Sequence, residues 1–296
     1  MIITRLRGGL GNQLFQYAAG RRLAALHDTV LKLDISFFQS QDKRDYSLSP
    51  FNISQVFATP EEVTRAKKGV FISTLSGESN TFFSGFIKSC YRRAVFSEPY
   101  VKPYPAEFIR NSRKNTYLDG YWQSEKYFND IQDIIRAEFT LKQNVDELNH
   151  QIAQQIRSSQ SVSIHIRRGD YVTEPETNLT HGVLPVSYYQ QSIEIIRSKI
   201  ANPTFFVFSD DQEWAVNSLH IDSPVFYVTN NGESRKEVDL WLMSICCHHI
   251  IANSSFSWWG AWLSTNSDML VISPRRWFAD QILVIDDLIP EDWIRI

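Results

Sequence analysis

The stretch that decides the fold is Ser161–Val172, "SVSIHIRRGDYV". Val162, Ile164 and Ile166 alternate with Ser163, His165 and Arg167, the period of a β-strand. A half-buried strand ordinarily runs out into bland turn residues. This one runs out into His165, Arg167, Arg168, Gly169 and Asp170. Downstream the same rhythm repeats. A helix is expected over 187–200, a strand over 204–208 and a short helix near 212–219. A strand at 224–228, a helix at 235–246, a strand at 249–252, the run "NSSFSWWGAWLS" and a strand at 269–273 follow. Strands and helices alternating at this spacing predict a parallel, doubly wound sheet.

Working back toward the N-terminus, "MIITRL" reads as a strand and "GGLGN" as a turn. "QLFQYAAGRRLAALH" reads as a helix with Leu14, Phe15, Ala18, Ala19, Leu23 and Leu26 on one face, and "TVLKLDIS" as a second strand. Residues 145–158 form an amphipathic helix through Val145, Leu148, Ile152 and Ile156. The stretch of about 40–130 is rich in Pro and aromatic residues and gives no clear order of elements. The expectation is an α/β protein of two Rossmann-like domains facing a cleft. The domains are 1–150 and 151–296, with the boundary within 135–160 and the extreme C-terminus packing back on the first domain.

Composition bounds the function. The 296 residues are 43% hydrophobic and 21% charged, with a net charge of −3. That is a globular composition without a global attraction to nucleic acid or anionic membrane, so bound anions must be held by local Arg and Lys. The first residues lack the apolar core of a signal peptide, and no long apolar run suggests a membrane span. Cys90, Cys246 and Cys247 are odd in number and two are adjacent, which favours reduced thiols in a cytosolic compartment. His248 and His249 beside the cysteines lack zinc-site spacing.

In open parallel sheets, ligands bind beyond the carboxyl ends of the strands. Three segments qualify: "HIRRGD", "FSDD" (Phe208–Asp211) and "ANSSFSWW" (Ala252–Trp259). Arg167 and Arg168 are either surface ion-pairing residues or a clamp for a phosphate-bearing ligand. The "RGD" triplet is discounted as an adhesion motif because it follows a strand in a cytosolic-looking chain. Asn253 or Ser254 can cap the helix that runs through Trp262, and a helix N-terminus also offers N–H groups to a phosphate, so Ser254, Ser255 and Ser257 fit both roles. Trp258, Trp259 and Trp262 read as core. Asp210 and Asp211 could hold a metal, accept N–H donors from a nucleobase or cap the next helix. With no partner carboxylate in evidence, the metal-free readings are preferred. "RGGLGNQLFQ" is an imperfect dinucleotide fingerprint, with Leu14 where a third glycine belongs. Its Gly9 and Gly11 permit close backbone approach to a ligand, with Asn12 and Gln13 reaching toward it. The alternative is a plain turn with Asn12 as helix cap.

Taken in order, "GGLGNQLFQYAAGRRLA", "GYWQSEKYF", "HIRRGDYV", His181-Gly182 with Tyr188-Tyr189, "FFVFSDD" and "DLWLMSICCHHIIANSSFSWWGAWL" resemble the α-1,2-fucosyltransferase family from Arg5 to about Pro274. The resemblance implies a GT-B fold and a bacterial cytosolic enzyme, with peripheral association at the inner face of the membrane as a variant of that expectation. It implies transfer of L-fucose from GDP-β-L-fucose to the 2-OH of a terminal β-galactose, with inversion and without cofactor or metal. The acceptor would be an oligosaccharide or lipid-linked glycan, such as an O-antigen. By the same resemblance, Arg167 would hold the β-phosphate and stabilise the leaving group, with Arg168 in support and His165 beside the nucleotide. Asn12 would lie near the sugar. Gly9, Gly11, Gln13, Ser209, Asp210, Asn253, Ser254, Ser255 and Phe256 would line the donor site, and Glu125 and His181 the acceptor side. Candidates for a general base are Asp170, Glu174, Glu176, His181 and Glu125. Asp170 ranks first by its place in the motif, with bracing of the arginines as its alternative role. Another nucleotide-sugar transferase, or a binding protein without catalysis, would share most of these features.

Overall fold

The computed structural model describes residues 1–39, 44–68, 70–72, 94–98, 103–279 and 286–296. Cys90 and much of the irregular middle of the chain lie outside the described residues. The chain divides into two units, Met1–Phe139 with Leu283–Pro290, and Thr140–Ile282 with Glu291–Ile296. The division falls after Phe139, so residues 140–150 go with the second unit.

The first unit contains β1 (Ile2–Arg5), α1 (Leu10–Leu26), β2 (Leu31–Asp34), α2 (Ser36–Gln39), α3 (Pro60–Lys67) and β3 (Val70–Ile72). β4 (Ala94–Glu98), α4 (Phe108–Asn111), β5 (Thr116–Gly120) and α5 (Gln132–Glu138) complete it. Its sheet runs in the order β2-β1-β5-β4-β3, with every pairing parallel. Parallel strands buried on both faces need apolar side chains throughout, which Ile2 and Ile3 supply in β1.

α1 begins at Leu10, with Gly9 at the N-cap and no side-chain cap. Asn12 is therefore inside the first turn, not capping it. Leu14, Phe15, Ala18, Ala19 and Leu23 are buried, whereas Leu26, expected on the same face, is 44% exposed in the last turn. Gln13 corrects a second expectation. It is fully buried, and its amide donates to the Gly8 and Asp45 carbonyls while its oxygen accepts from the Ser47 N–H. Those bonds engage the amide in bracing the Gly-rich turn, so Gln13 is not a donor-site contact.

The second unit contains α6 (Glu147–Arg157), β6 (Gln160–Ile166), α7 (Gly169–Thr173), α8 (Pro175–His181) and α9 (Val186–Lys199). β7 (Pro203–Ser209), α10 (Gln212–Ser218), β8 (Val225–Val228), α11 (Lys236–Ser244) and β9 (His248–Ile250) follow. α12 (Ser255–Trp262), β10 (Val271–Ser273) and β11 (Ile294–Arg295) close the unit. The all-parallel order β11-β10-β9-β6-β7-β8 is, read from β8, the Rossmann order 3-2-1-4-5-6. Val162, Ile164, Ile166, Phe205, Val207 and Ile250 form its core. Trp258, Trp259 and Trp262 are buried, as expected of core residues. The segment after β6, for which the sequence predicted no helix before 187, is the helix pair α7–α8. Polar residues and Pro175 obscure its period.

A buried amide lattice fixes the loop after β8. Asn149 on α6 exchanges hydrogen bonds with Asn231 (2.9 and 3.0 Å), Asn230 donates to Asn149, and Asn231 donates to Asp239 on α11 at 2.7 Å. Burial pushes the Asp239 carboxyl up to about 6, against the opposing bond from Asn231. Replacing Asn149 removes two of the hydrogen bonds of Asn231 and the acceptor of Asn230 from a buried lattice. Asn149→Ala is therefore expected to lose about 2 kcal/mol of unfolding free energy in urea titration, and an unchanged midpoint would contradict the role of the lattice.

Candidate active site

In the Rossmann order the connections change direction between the first and fourth strands, here β6 and β9, and ligands bind beyond the carboxyl ends at that point. The segments that leave β6, β7 and β9 carry the charged and polar residues singled out from the sequence. Within the second unit the structure brings them together.

Arg167 leaves β6 and is gripped on both sides. Its guanidinium pairs with Asp170 at 2.8 Å and with Asp210 at 2.9 Å, and all three side chains are largely buried. Burial works against the positive charge, but the Asp210 and Asp170 carboxylates more than offset it and hold the guanidinium above its ordinary pKa. Asp210 also accepts from the backbone N–H groups of Arg168 (2.8 Å) and Gly169 (3.0 Å). A Cβ on residue 169 would stand 2.7 Å from the Asp210 carboxylate, so the close approach requires glycine. Asp210, expected at the nucleotide, is engaged with the turn after β6 and with Arg167.

Arg168 points elsewhere. Its Nε donates to Asp211 at 3.0 Å, and its guanidinium lies 4.2 Å from the centroid of the Trp214 ring. Asp211 also caps α10 by accepting from the Trp214 N–H, and its own N–H donates to Ser209 Oγ at 2.9 Å. Arg168, Ser209 and Asp211 thus form a scaffold that joins the ends of β6 and β7.

His165 and Phe256 meet across β6 and α12, with ring centroids 5.3 Å apart. Burial, aided by the Arg167 charge, pushes the His165 imidazole down to about 3, so it is neutral at physiological pH. Its Nδ1 is buried without a hydrogen-bond partner, the kind of group that a ligand satisfies. Ser254 caps α12 by accepting from the Phe256 N–H at 3.3 Å. Ser255 opens the helix, whose first-turn N–H groups have no carbonyl partners within it. Asn253 is a brace, because its amide nitrogen donates to the carbonyls of His181, Gly182 and Trp277. It is not a donor-site contact through that nitrogen.

Tyr171 and Phe278 carried no signal in the sequence beyond being aromatic. Tyr171 lies under Arg167 (5.8 Å), donates to the Asn253 carbonyl at 3.1 Å and stacks on His181 at 4.9 Å and 6°. Phe278 meets the His181 ring at 5.5 Å. Burial and the Arg167 charge lower the His181 pKa, Asp170 opposes them, and Nδ1 of His181 is buried and unpartnered. Glu174 and Glu176 are exposed.

In the first unit, Gly8 rather than Gly9 carries the left-handed backbone, with φ +76°. A Cβ on Gly9 would meet nothing within 4 Å, whereas Gly11 is buried inside α1. Arg5 and Arg7 pair with Asp119 at 3.0 and 3.8 Å, and the Arg7 guanidinium lies 4.5 Å from the Tyr121 ring centroid. Glu125 opens a short 3₁₀ turn (Glu125–Tyr127) capped by Ser124.

Two all-parallel units, the second with a cation and a capped helix N-terminus at its switch point, have the GT-B fold. An Arabidopsis thaliana FUT1 mutant in complex with GDP shares this fold, with a TM-score of 0.51 at 13% identity over 91% of this chain and 69% of that one. The sequence profile of glycosyl transferase family 11 matches residues 1–296, and the chain belongs to that family. An Escherichia coli alpha-1,2-colitosyltransferase is 37% identical over 100% of this chain and 99% of its own length. The Escherichia coli O-antigen biosynthesis glycosyltransferase WbnK is 38% identical over 93% of this chain and 94% of its own. A Bos taurus galactoside 2-alpha-L-fucosyltransferase, SEC1, is 29% identical over 60% of this chain and 48% of its own.

The neutral imidazoles set a pH dependence. Burial holds both His165 and His249 at about 3 in the folded chain, against an unfolded value near 6.5. The unfolded chain therefore binds protons first. Stability is full above about pH 6.5 and declines as pH falls toward the folded values. His165→Gln should remove about one proton from the slope of unfolding free energy against pH between 6 and 4. An unaltered slope would show that His165 is not buried in its neutral form.

Proposed function

We propose that the protein is an inverting α-1,2-fucosyltransferase that moves L-fucose from GDP-β-L-fucose to the 2-OH of a terminal β-galactose on an oligosaccharide or lipid-linked glycan. The observation that carries this reading is Arg167, fixed between Asp170 and Asp210 at the end of β6 in a chain of family 11. As the glycosidic bond breaks, negative charge grows on the departing diphosphate and positive charge on the sugar. Preorganised donors aimed at the growing anion lower that barrier most. Arg167 supplies a permanent cation. The first-turn N–H groups of α12 supply dipoles, and His165 supplies a neutral imidazole with an unused nitrogen. The acceptor oxygen forms the new bond at C1 from the face opposite the diphosphate and gives up its proton late, as the oxocarbenium-like centre is captured.

Asp170 is engaged with Arg167, so its proposed role is to brace the cation rather than to take that proton. His181, which burial favours as the neutral imidazole, and Glu125 are the candidates left to accept that proton. The reading involves no metal. Among the described residues no three His, Cys, Asp or Glu side chains gather as a ligand set, and the oxygens of Asp210 and Asp211 bind N–H groups and arginines. Among the same residues no helix is long and apolar enough to cross a membrane, and we propose a cytoplasmic enzyme acting on a carrier-linked or free glycan.

The alpha-1,2-colitosyltransferase relative supports a second donor, GDP-colitose, whose sugar lacks the 3-OH of L-fucose. An assay with both GDP-sugars over a panel of β-galactosides, followed by linkage analysis of the product, separates the two. The fucose reading expects a 1,2-linked fucosyl product, and turnover of GDP-colitose alone would replace it. Arg167→Ala should lose more than about 3 kcal/mol of transition-state stabilisation, read as kcat/KM, and near-native transfer would remove Arg167 from the leaving-group role. Activity should survive EDTA. Abolition with rescue by Mg²⁺ would contradict the metal-free mechanism.

A further inference from the structure

We propose that Tyr171 is a positioning residue that holds the Arg167 guanidinium and the His181 imidazole against one ring, so that the charge state of His181 follows the occupancy of Arg167 by the diphosphate. The proposal deepens the glycosyl-transfer reading above and rests on it, and it concerns residues of the second unit alone.

His181 ends α8, and the backbone around it is held by three hydrogen bonds. The Asn253 amide donates to the carbonyls of His181 (2.9 Å) and Gly182 (3.2 Å), and the Ala279 N–H donates to the Thr180 carbonyl at 2.9 Å. Gly182 follows with φ +71°, and a Cβ there would stand 3.2 Å from Ala279 Cβ, so the turn out of α8 favours glycine. The rest of α8 is loosely seated. None of its residues is fully buried, and Leu179 is 77% exposed. The fixed part is the end that carries the imidazole, whose Nδ1 is buried without a protein partner.

What that imidazole has is a stack. The Tyr171 ring lies 4.9 Å from it and 6° from parallel, with Phe278 at 5.5 Å. Tyr171 is itself buried, and its hydroxyl donates to the Asn253 carbonyl at 3.1 Å, so Asn253 holds both members of the stack. The Arg167 guanidinium lies 5.8 Å from the centroid of the same ring, within the range of a cation–π contact. One aromatic side chain thus fixes the spacing between a permanent cation and a titratable ring.

Burial lowers the His181 pKa most, Asp170 opposes it and Arg167 adds to the lowering. Arg276, on the segment of Phe278, donates to the Phe278 and Ala279 carbonyls and keeps its charge throughout. Glu174 and Glu176 are exposed at the opposite end of α8. Of these groups only Arg167 is proposed to meet the diphosphate. A diphosphate seated there offsets the cation's field at His181 and makes the imidazole more basic. The ring is then neutral while the site is empty, and its basicity grows with the negative charge on the departing group. That is the stage at which an attacking hydroxyl releases its proton.

The test is an NMR titration of His181 in the full chain with labelled histidine, with and without saturating GDP, and with GDP binding measured on the same samples by calorimetry. The spectrum of His181→Gln assigns the signal. His165 and His249, which burial holds at about 3, do not titrate in the same range. GDP should raise the His181 midpoint by about half a pH unit or more. Tyr171→Leu should diminish that rise and lower kcat about tenfold, with a smaller change in KM for the GDP-sugar. Tyr171→Phe keeps the ring and loses the bond to Asn253, so it should keep most of the rise. Bound GDP with an unmoved His181 midpoint in the wild type would overturn the proposal without recourse to any variant. A rise in Tyr171→Leu equal to that of the wild type would show that the ring does not set the spacing, and would overturn it as well. Wild-type protein that binds no GDP would defeat the nucleotide reading and this proposal with it, whereas bound GDP beside a fixed His181 would defeat the coupling alone.

Discussion

The carboxylate of Asp210 is the constraint on which the second unit depends. It accepts the N–H groups of Arg168 and Gly169 and pairs with the Arg167 guanidinium. One side chain at the end of β7 thereby closes the turn after β6 and aims its cation. A buried guanidinium between two carboxylates is neutralised where it stands, so it remains charged in a region that would otherwise disfavour charge. The negative excess of that triad suits a resting state. In the proposed reaction, an arriving diphosphate competes with Asp170 and Asp210 for the same planar donors, and the N–H groups of Ser255 and its neighbours share the load.

The scaffold behind the triad is built from aromatic faces and backbone carbonyls. Arg168 is packed against Trp214 and paired with Asp211, which keeps a second guanidinium out of competition with Arg167. Tyr171 links α7 to the segment before α12 through the Asn253 carbonyl, and Asn253 in turn gathers three carbonyls from two other segments. Loops that leave different strands become one rigid floor. Rigidity matters because preorganised dipoles stabilise a transition state without having to rearrange when charge appears. The first unit uses the same device in another form, with buried Gln13 and the Glu98–Trp122 bond holding turns that lack regular structure.

The strands and the long helices were legible because burial on both faces of a parallel sheet leaves an apolar record. Val162, Ile164 and Ile166 announced β6, and Leu14 to Leu23 announced α1. Leu26 misled because the apolar period continues into the last turn of α1, where the side chain is exposed. The start of α1 at Leu10 was hidden because Gly9 caps it without a side-chain bond. α7 and α8 were invisible because short helices held by Tyr171 and Asn253 need little period of their own. At the site, residue type was readable and orientation was not. Gln13, Asp210 and the amide nitrogen of Asn253 have the right chemistry for a ligand, yet the structure engages them inside the protein. Asp170, open in the sequence between base and brace, is placed beside Arg167 at ion-pair distance. Trp214 packs on Arg168 through geometry that no local pattern encodes.

The central claim is that Arg167, held in place by Asp210, stabilises the departing diphosphate. The most direct measurement is the single-turnover transfer rate of Asp210→Asn at saturating donor, compared with its affinity for GDP. The substitution keeps the shape of the side chain and removes the charge that orients the guanidinium. The account predicts a chemical step slowed by about tenfold or more, with GDP affinity changed less than the rate. A single-turnover rate equal to wild type, or a loss confined to GDP affinity, would contradict it.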